Sequence, residues 1–480
     1  MQDADIRAVF LFNRRPFSER CSGFVGAAVK NFVITKPMLL IYLVISILLI
    51  VVLTTRLHIH PFLTLFIVAI SFGLVSGMPL ATILQSINEG FGGTLGKIGF
   101  IIVFGVLIGT FLENTGGAYK LAEKVLRLTG RKRVTPAMGI IGYIVSIPVF
   151  ADSGFLLMSP LAKSLAKKAG ISLAGPAIAL GLGLTASHVM VPPTPGPIAA
   201  AGILGADLGL VMMVGIPISL LTLIPAIMFA SSYAGKTYIN PSPELSDEVL
   251  QNRAANAPGA AISAVPIILP IVLIVAKSLV QQYSEQLPES VFQTINFIGE
   301  PVIALFIGMA LALLLPKKLE KSMLSSEGWV GQALKDAAII ILITGAGGVF
   351  GKILQNSGIT DLLSDTLVHY RLSVWLPFLL AAALKTAQGS STVALITTAS
   401  LLSPLMPSLG FETAMEKALV VVAIGAGSAV VSHANDSFFW VISQLTGLDV
   451  RNSYRLFTLG TFVLGTTAAL LVYLTYIFIA

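Results

Sequence analysis

The chain has 480 residues, of which 55% are hydrophobic and only 11% charged, with a mean hydropathy of +0.89. Soluble domains carry about 25% charged residues, so a soluble globular protein is excluded. The formal net charge of +7 reads as loop charge beside membrane spans rather than as a nucleic-acid face. A single cysteine, Cys21, excludes a disulfide framework within the chain and a cysteine-rich metal site.

In chain order, residues 1–37 form a polar N-terminal tail carrying Arg14, Arg15, Arg20, Lys30 and Lys36. The apolar run after it is full-length and has no small-residue cleavage pattern, so the tail does not read as a signal peptide. Residues 38–57 and 61–77 approach the length of about 20 residues that a helix needs to cross a bilayer. Segment 79–97 is too polar to span and is expected to lie as an arm along the interface. The basic stretch 120–134 marks a cytoplasmic loop. Apolar residues 134–162 follow, broken by Pro148, Asp152, Gly154 and Pro160, with the basic "KSLAKK" (163–168) on the far side. A single crossing would put the two basic flanks on opposite sides, so this stretch is expected to be a re-entrant hairpin with its tip at 148–155. "TASHVMVPPTPGP" (185–197) is expected to be a broken span, since four prolines in six residues unwind a helix. A polar stretch, 235–259, closes this half.

The second half repeats the first. "PFLTLFI" (61–67) matches "PVIALFI" (301–307) at an offset of 240, and "EGFGGTLGK" (89–97) matches "EGWVGQALK" (327–335) at 238. "GVLIGTFLENTG" (105–116) matches "GGVFGKILQNSG" (347–358) at 242, an offset that also places Gly205 and Asp207 on Gly447 and Asp449. Segment 319–335 is then the second arm, 376–405 the second hairpin with its tip at 385–392, and 426–440 the second broken span. The expected fold is an all-α polytopic membrane protein: two inverted repeats, two re-entrant hairpins, two broken transmembrane helices and about 10 crossings. The domains are 1–37, a first repeat at 38–234, a linker at 235–259 and a second repeat at 260–480. With 120–134 and 315–321 cytoplasmic, both termini lie outside, against the charge of the N-terminal tail.

Irregular backbone at membrane depth is tolerated only where protein or water satisfies it, so the two tips and two breaks are where chemistry is sought. Asp152 reads either as a proton-coupling carboxylate, because a charge at membrane depth is costly, or as a cap of the second hairpin arm. His188 and His433, one beside each break, read as proton carriers or as structural hydrogen-bond donors. Thr194, His433, Asn435 and Asp436 can bind the substrate, Asn435 and Asp436 through its hydroxyls, and Asp436 can equally cap the half-helix that starts at Ser437. Ser153, Gly154, Gly389, Ser390, Ser391 and Thr392 offer backbone and hydroxyl groups suited to a carboxylate. Lys385 either pairs with the substrate anion or snorkels to the interface. "GAGGVFGKI" (345–353) fails the phosphate-loop pattern at Ala346 and Ile353. Gly105/Gly109 and Gly347/Gly351 fit close helix packing, and Asp207 and Asp449 read as caps. No metal site and no cofactor are expected.

The motifs "GMPL" (77–80), "GGTLG" (92–96), "VPPTPGP" (191–197), "GADLG" (205–209) and "SHAND" (432–436) followed by Phe439 and Trp440 resemble the gluconate permease (GntP) family of bacterial inner-membrane symporters. The resemblance runs from Met38 nearly to the end, in family order. It implies a proton-coupled symporter of gluconate or a related small hydroxylated monocarboxylate, with D-serine and other hydroxy acids as alternatives. It implies a bacterial inner-membrane, multi-pass location, no enzymatic activity and no nucleic-acid partner, and it leaves a homodimer open. Gluconate permeases are expected to carry Glu-Val-Gly-Phe where this chain has 152–155, and a histidine in place of Thr194. Both departures lie at the implied site, so the resemblance carries the family and not the exact substrate. Na⁺ coupling through the same hydroxyls is the second transport reading. An intramembrane enzyme is the reading from another class, and no His-Glu-x-x-His or Cys/His cluster favours it.

Overall fold

The computed structural model describes residues 36–129, 133–241, 257–281, 287–359 and 373–479, and among these every regular element is helical. Residues 1–35 of the tail and 242–256 of the linker lie outside the described residues. The first half runs through α1 (Lys36–Thr55), α2 (Pro61–Val75), α3 (Leu80–Asn114), α4 (Gly117–Thr129), α5 (Val134–Ser146), α6 (Ala151–Ala169), α7 (Ala174–Met190), α8 (Pro195–Leu204) and α9 (Leu208–Ser232). The second runs through α10 (Ala260–Gln281), α11 (Glu289–Ile298), α12 (Pro301–Ala312), a short α13 (Lys321–Leu324), α14 (Trp329–Asn356), α15 (Trp375–Gln388), α16 (Ser391–Leu402), α17 (Ala414–Ala429), α18 (Ser437–Thr446), a short α19 (Val450–Ser453) and α20 (Leu459–Ile479). Six helical stretches among the described residues are long and apolar enough to cross a membrane, and the bent pair α11–α12 makes a seventh. The remaining apolar helices are shorter.

The sequence match at offset 242 reappears as matched helix ends. The half-helices α8 and α18 each span 10 residues and start one residue after Thr194 and Asp436 respectively. Each ends on a left-handed glycine, Gly205 at φ 65° and Gly447 at φ 73°, as αL caps favour. The next helices are capped alike: Asp207 accepts from Leu210 N, and Asp449 from Asn452 N.

The expected arms are not separate elements. Residues 80–97 continue without interruption into the span of α3, and 329–335 into that of α14. Neither stretch contains a proline, and helices with whole-length hydrogen bonding need no break at a change of polarity. "KSLAKK" likewise is not a loop flank but the last turns of α6, with Lys163 buried.

The helices α3 and α14 run antiparallel along each other. Asn356 Nδ2 donates to Ser86 Oγ at 2.9 Å, Lys352 pairs with Glu89 at 3.2 Å, and the Phe111 and Trp329 rings meet edge-on at 5.3 Å. Their crossing depends on glycine: a Cβ on Gly90 would lie 2.6 Å from Gly348 O. The Gly105/Gly109 face of α3 seats the first hairpin and the first break. A Cβ on Gly109 would collide with Pro148 O, and one on Gly105 would lie 3.0 Å from Pro193 O. The Gly347/Gly351 face of α14 seats Ser400 of the second hairpin.

Both hairpins form, and they are anchored at opposite ends. Past α6, Ser172 Oγ donates to Thr237 O at 2.7 Å, beyond the end of α9. Past α16, Ser403 Oγ donates to Ile203 O at 3.0 Å, just before the start of α9. A helix of 25 residues is about 37 Å long, so these anchors are a membrane thickness apart.

Bulky side chains at the two glycine contacts are expected to separate α3 from what it carries. Gly90→Val and Gly109→Val should each lower the thermal midpoint of the detergent-solubilised protein by an amount equivalent to about 1–3 kcal/mol or more. Gly96→Ala, where a Cβ meets nothing within 4 Å, should leave it no lower and raise it by up to the equivalent of about 1 kcal/mol. Equal behaviour of the three variants in a thermal unfolding assay would refute the close-approach reading.

Candidate functional site

Both hairpin tips, the second break and the last turns of α7 before the first break converge on one cavity. Its volume is about 140 Å³, and its wall includes Asp152 at the start of α6, Thr185 and His188 near the end of α7, Lys385 of α15, Ser390, Ser391 and Thr392 at the start of α16, and Ser432, Asp436 and Ser437 of the second break. Three helices therefore begin at this cavity: α6, α16 and α18. Helix N-termini present unpaired N–H groups and partial positive charge, which favours an anion. Ser390 caps α16 through Val393 N, and Asp436 caps α18 through Phe438 N. No side chain caps α6.

The second break is organised by an ion pair. Lys385 is 1% exposed, and its Nζ donates to Asp436 Oδ2 at 2.6 Å and to the carbonyl of Gly389. Asp436 Oδ2 also accepts from Ser432 Oγ at 2.5 Å. Ser432 is itself held at both backbone ends, its N–H by Thr461 Oγ1 and its carbonyl by Thr458 Oγ1. A buried charge left without a partner is strongly destabilising, and here each has several. Lys385 therefore does not snorkel; it lies on the cavity wall with its charge engaged by Asp436.

The neighbours of Asp436 face the other way. His433 Nε2 meets Thr386 O at 2.7 Å, which makes that nitrogen the N–H donor. Asn435 Nδ2 donates to Thr386 O at 2.9 Å and Ala387 O at 3.0 Å. These are carbonyls of the last turn of α15, which a helix end leaves unsatisfied. "SHAND" therefore splits into two jobs: Ser432 and Asp436 hold Lys385, while His433 and Asn435 cap the hairpin.

Of the residues expected at the site, Asp152, His188, Ser390, Ser391, Thr392 and Asp436 lie on the cavity wall. Ser437 Oγ donates to Asp152 Oδ2 at 3.2 Å and joins the two halves there. Ser391 Oγ donates to Ser428 O at 2.8 Å. His188 keeps a buried Nδ1 without a hydrogen-bond partner, and it also borders a cavity of only about 10 Å³ lined by Thr194. Thr194 is buried and donates to Val191 O at 2.6 Å. Ser153, Gly154, Gly389, His433 and Asn435 are outside the wall. A Cβ on Gly154 would lie 2.6 Å from Leu184, and Gly389 turns the tip at φ 84° against Asn435 O. Sequence reasoning misses Thr185, Ser432 and Ser437. Thr185 is accessible to it, because it lies one turn before His188 on the same helix face.

The chain matches the model of the GntP family permeases over residues 38–478. It is 36% identical over 445 residues to an uncharacterized permease of Haemophilus influenzae, covering 88% of this chain and 89% of that one. It is 33% identical to a gluconate permease of Pseudomonas aeruginosa, covering 88% and 93%, and 34% identical to the inner membrane permease YgbN of Escherichia coli, covering 89% and 96%. Among solved structures, the YdaH transporter of Alcanivorax borkumensis superposes with a TM-score of 0.55 at 14% identity over 82% of this chain and 89% of that one, a likeness of fold. With sequence, fold and broken-helix cavity in agreement, the chain belongs to the GntP permease family.

Proposed function

We propose that this chain is a proton symporter that imports gluconate or a related small hydroxylated monocarboxylate across the bacterial inner membrane. The observation that carries the reading is the charge of the cavity. Asp152 and Asp436 stand against Lys385 alone, so with His188 neutral the wall holds one net negative charge. A carboxylate substrate would add another in a medium of low effective dielectric, where like charges repel strongly. A proton taken up with the substrate removes that repulsion. Asp152 is the group for it, since it lies on the wall and, among the described residues, no lysine or arginine pairs with it as Lys385 does with Asp436.

The substrate carboxylate is placed at the N-termini of α6 and α16, against Ser390, Ser391 and Thr392. Its hydroxyls are placed toward Thr185, Ser432 and Ser437, with Asp436 and Lys385 behind. His188 stands beside Asp152 as the second proton carrier. In this reading 38–234 and 260–480 are inverted repeats, supported by the antiparallel α3 and α14 and by the hairpins anchored at opposite ends. The basic segments support an orientation, although residues 120–129, expected as a loop, belong to α4. That segment precedes α5 at the first hairpin's end, and 315–321 lead through α13 to Trp329, which packs on Phe111 near the same end. That end is placed in the cytoplasm. The names of the relatives, which include gluconate permeases, support the substrate class.

Proteoliposomes with an imposed pH gradient are expected to accumulate labelled gluconate, to lose it on addition of a protonophore and to keep it without Na⁺. Failure to accumulate gluconate, other sugar acids or D-serine would sink the symport reading, and strict Na⁺ dependence would replace the proton. Asp152→Asn, checked for a monodisperse gel-filtration profile, should lose pH-driven accumulation by about tenfold or more, equivalent to about 1.4 kcal/mol, while retaining gluconate exchange. Full accumulation by this variant removes Asp152 from coupling.

Lys385→Met should destabilise the fold by about 3–5 kcal/mol, because it leaves Asp436 buried and unpaired. The double variant Lys385→Met/Asp436→Asn should recover much of that loss. Additive effects in thermal unfolding would show that the two side chains are energetically independent.

A further inference from the structure

A second, larger cavity lies at the opposite end of the helices that start at the site. Its volume is about 230 Å³. The helices α8 and α16 lie side by side and run the same way: a Cβ on Gly196 would meet Leu395 and Thr392, and Ser403 bonds to Ile203. With 10 and 12 residues they are about 15–18 Å long. The first cavity lies at the N-terminal end of α16, and Gly202, Ile203 and Ser403 line the second. The two cavities are therefore separated by the length of this helix pair.

The floor of the second cavity is the α3–α14 pair, which contributes Thr94 and Lys97 from one helix and Lys352 and Gln355 from the other. Glu89 is engaged by Lys352 at 3.2 Å and by Gln85 Nε2 at 2.7 Å. Lys97 makes no ion pair among the described residues, so one positive charge is left over.

We infer that this cavity is a second anion-binding site, a vestibule in which the carboxylate substrate is collected on the face opposite the first hairpin's anchor, with Lys97 as its charge and Thr94 and Gln355 as hydrogen-bonding partners. The inference rests on the transport reading above for the identity of the anion, but not for its charge. Polar clefts with one excess sign of charge concentrate the opposite ion and raise its capture rate. The competing role for Lys97 is to offset the partial negative C-termini of α8 and α16. That role predicts an effect on stability and none on ion selectivity.

The test uses the full chain with Cys21→Ser and Gly93→Cys. Gly93 lines the cavity at a point where a Cβ meets nothing within 4 Å. With each rate divided by that reagent's rate with free 2-mercaptoethanol, the anionic reagent 2-sulfonatoethyl methanethiosulfonate should be favoured about tenfold at the thiol introduced at position 93 over its trimethylammonium analogue of similar size, and Lys97→Glu should invert the preference. Equal normalised rates, or a preference untouched by Lys97→Glu, overturn the proposal whatever the substrate is.

The transport arm measures initial gluconate uptake against concentration. Lys97→Glu and the cavity-filling Gly93→Leu should raise KM several-fold with Vmax nearly unchanged, Lys97→Arg should restore it, and Gly96→Leu should have no effect. An unchanged KM in both variants also overturns the proposal. An anion preference at the introduced thiol in a protein that takes up no gluconate upholds the vestibule and removes gluconate as its occupant.

Discussion

Everything at the centre of this protein depends on satisfying helix ends that fall inside it. A helix that stops leaves four carbonyls or four N–H groups without partners, and water is scarce at that depth. The second break answers with one side-chain cluster serving two helices. His433 and Asn435 take the carbonyls at the end of α15, Asp436 accepts from Phe438 N, the second residue of α18, and Lys385 ties the carboxylate to the Gly389 carbonyl at the tip. The hairpin and the break thus hold each other. Of the three helices that start at the cavity, α16 and α18 are capped by side chains and α6 is not.

That cluster needs a frame, and glycine provides it. Gly90 and Gly348 let α3 and α14 approach until backbone touches backbone, and Gly109 lets the Pro148 carbonyl rest on α3. A helical glycine costs about 1 kcal/mol relative to alanine, so such positions persist where packing returns more than that. The frame contributes few polar groups to the first cavity, and its own charges, Glu89, Lys97 and Lys352, gather at the second.

Much of this is legible in the sequence because it rests on residue types with few alternatives. Four prolines in 192–197 allow only a break, and glycine followed by aspartate at 205–207 and 447–449 allows a left-handed stop and a new cap. The hairpin tips are marked by Asp152 and Gly389 within apolar surroundings. What is not legible is direction. Nothing in "SHAND" says that His433 and Asn435 turn toward Thr386 while Asp436 turns toward Lys385, because that choice is set by a hairpin about fifty residues earlier in the chain. The expectation of separate arms fails for a related reason. Polarity reports where a segment is solvated, whereas helix continuity needs an unbroken run of backbone donors, and residues 80–114 contain no proline.

The two halves share their cap positions but not their chemistry, and the difference has a physical logic. At the first break the capping position is Thr194, neutral and hydrogen-bonded to Val191 O; at the second it is Asp436, charged and paired. Thr194 lies off the wall of the first cavity, in the small space beside His188, so a carboxylate in its place would be a buried charge with no lysine lining the same space. With the carboxylate at the second break only, it is paired by Lys385, while Asp152 has no basic partner among the described residues. The helices that begin at the hairpin tips differ in the same way, α16 being capped by Ser390 and α6 by no side chain. Equivalent cap positions thus carry different chemistry in the two halves, and the polar groups they leave or satisfy are what the central cavity is built from.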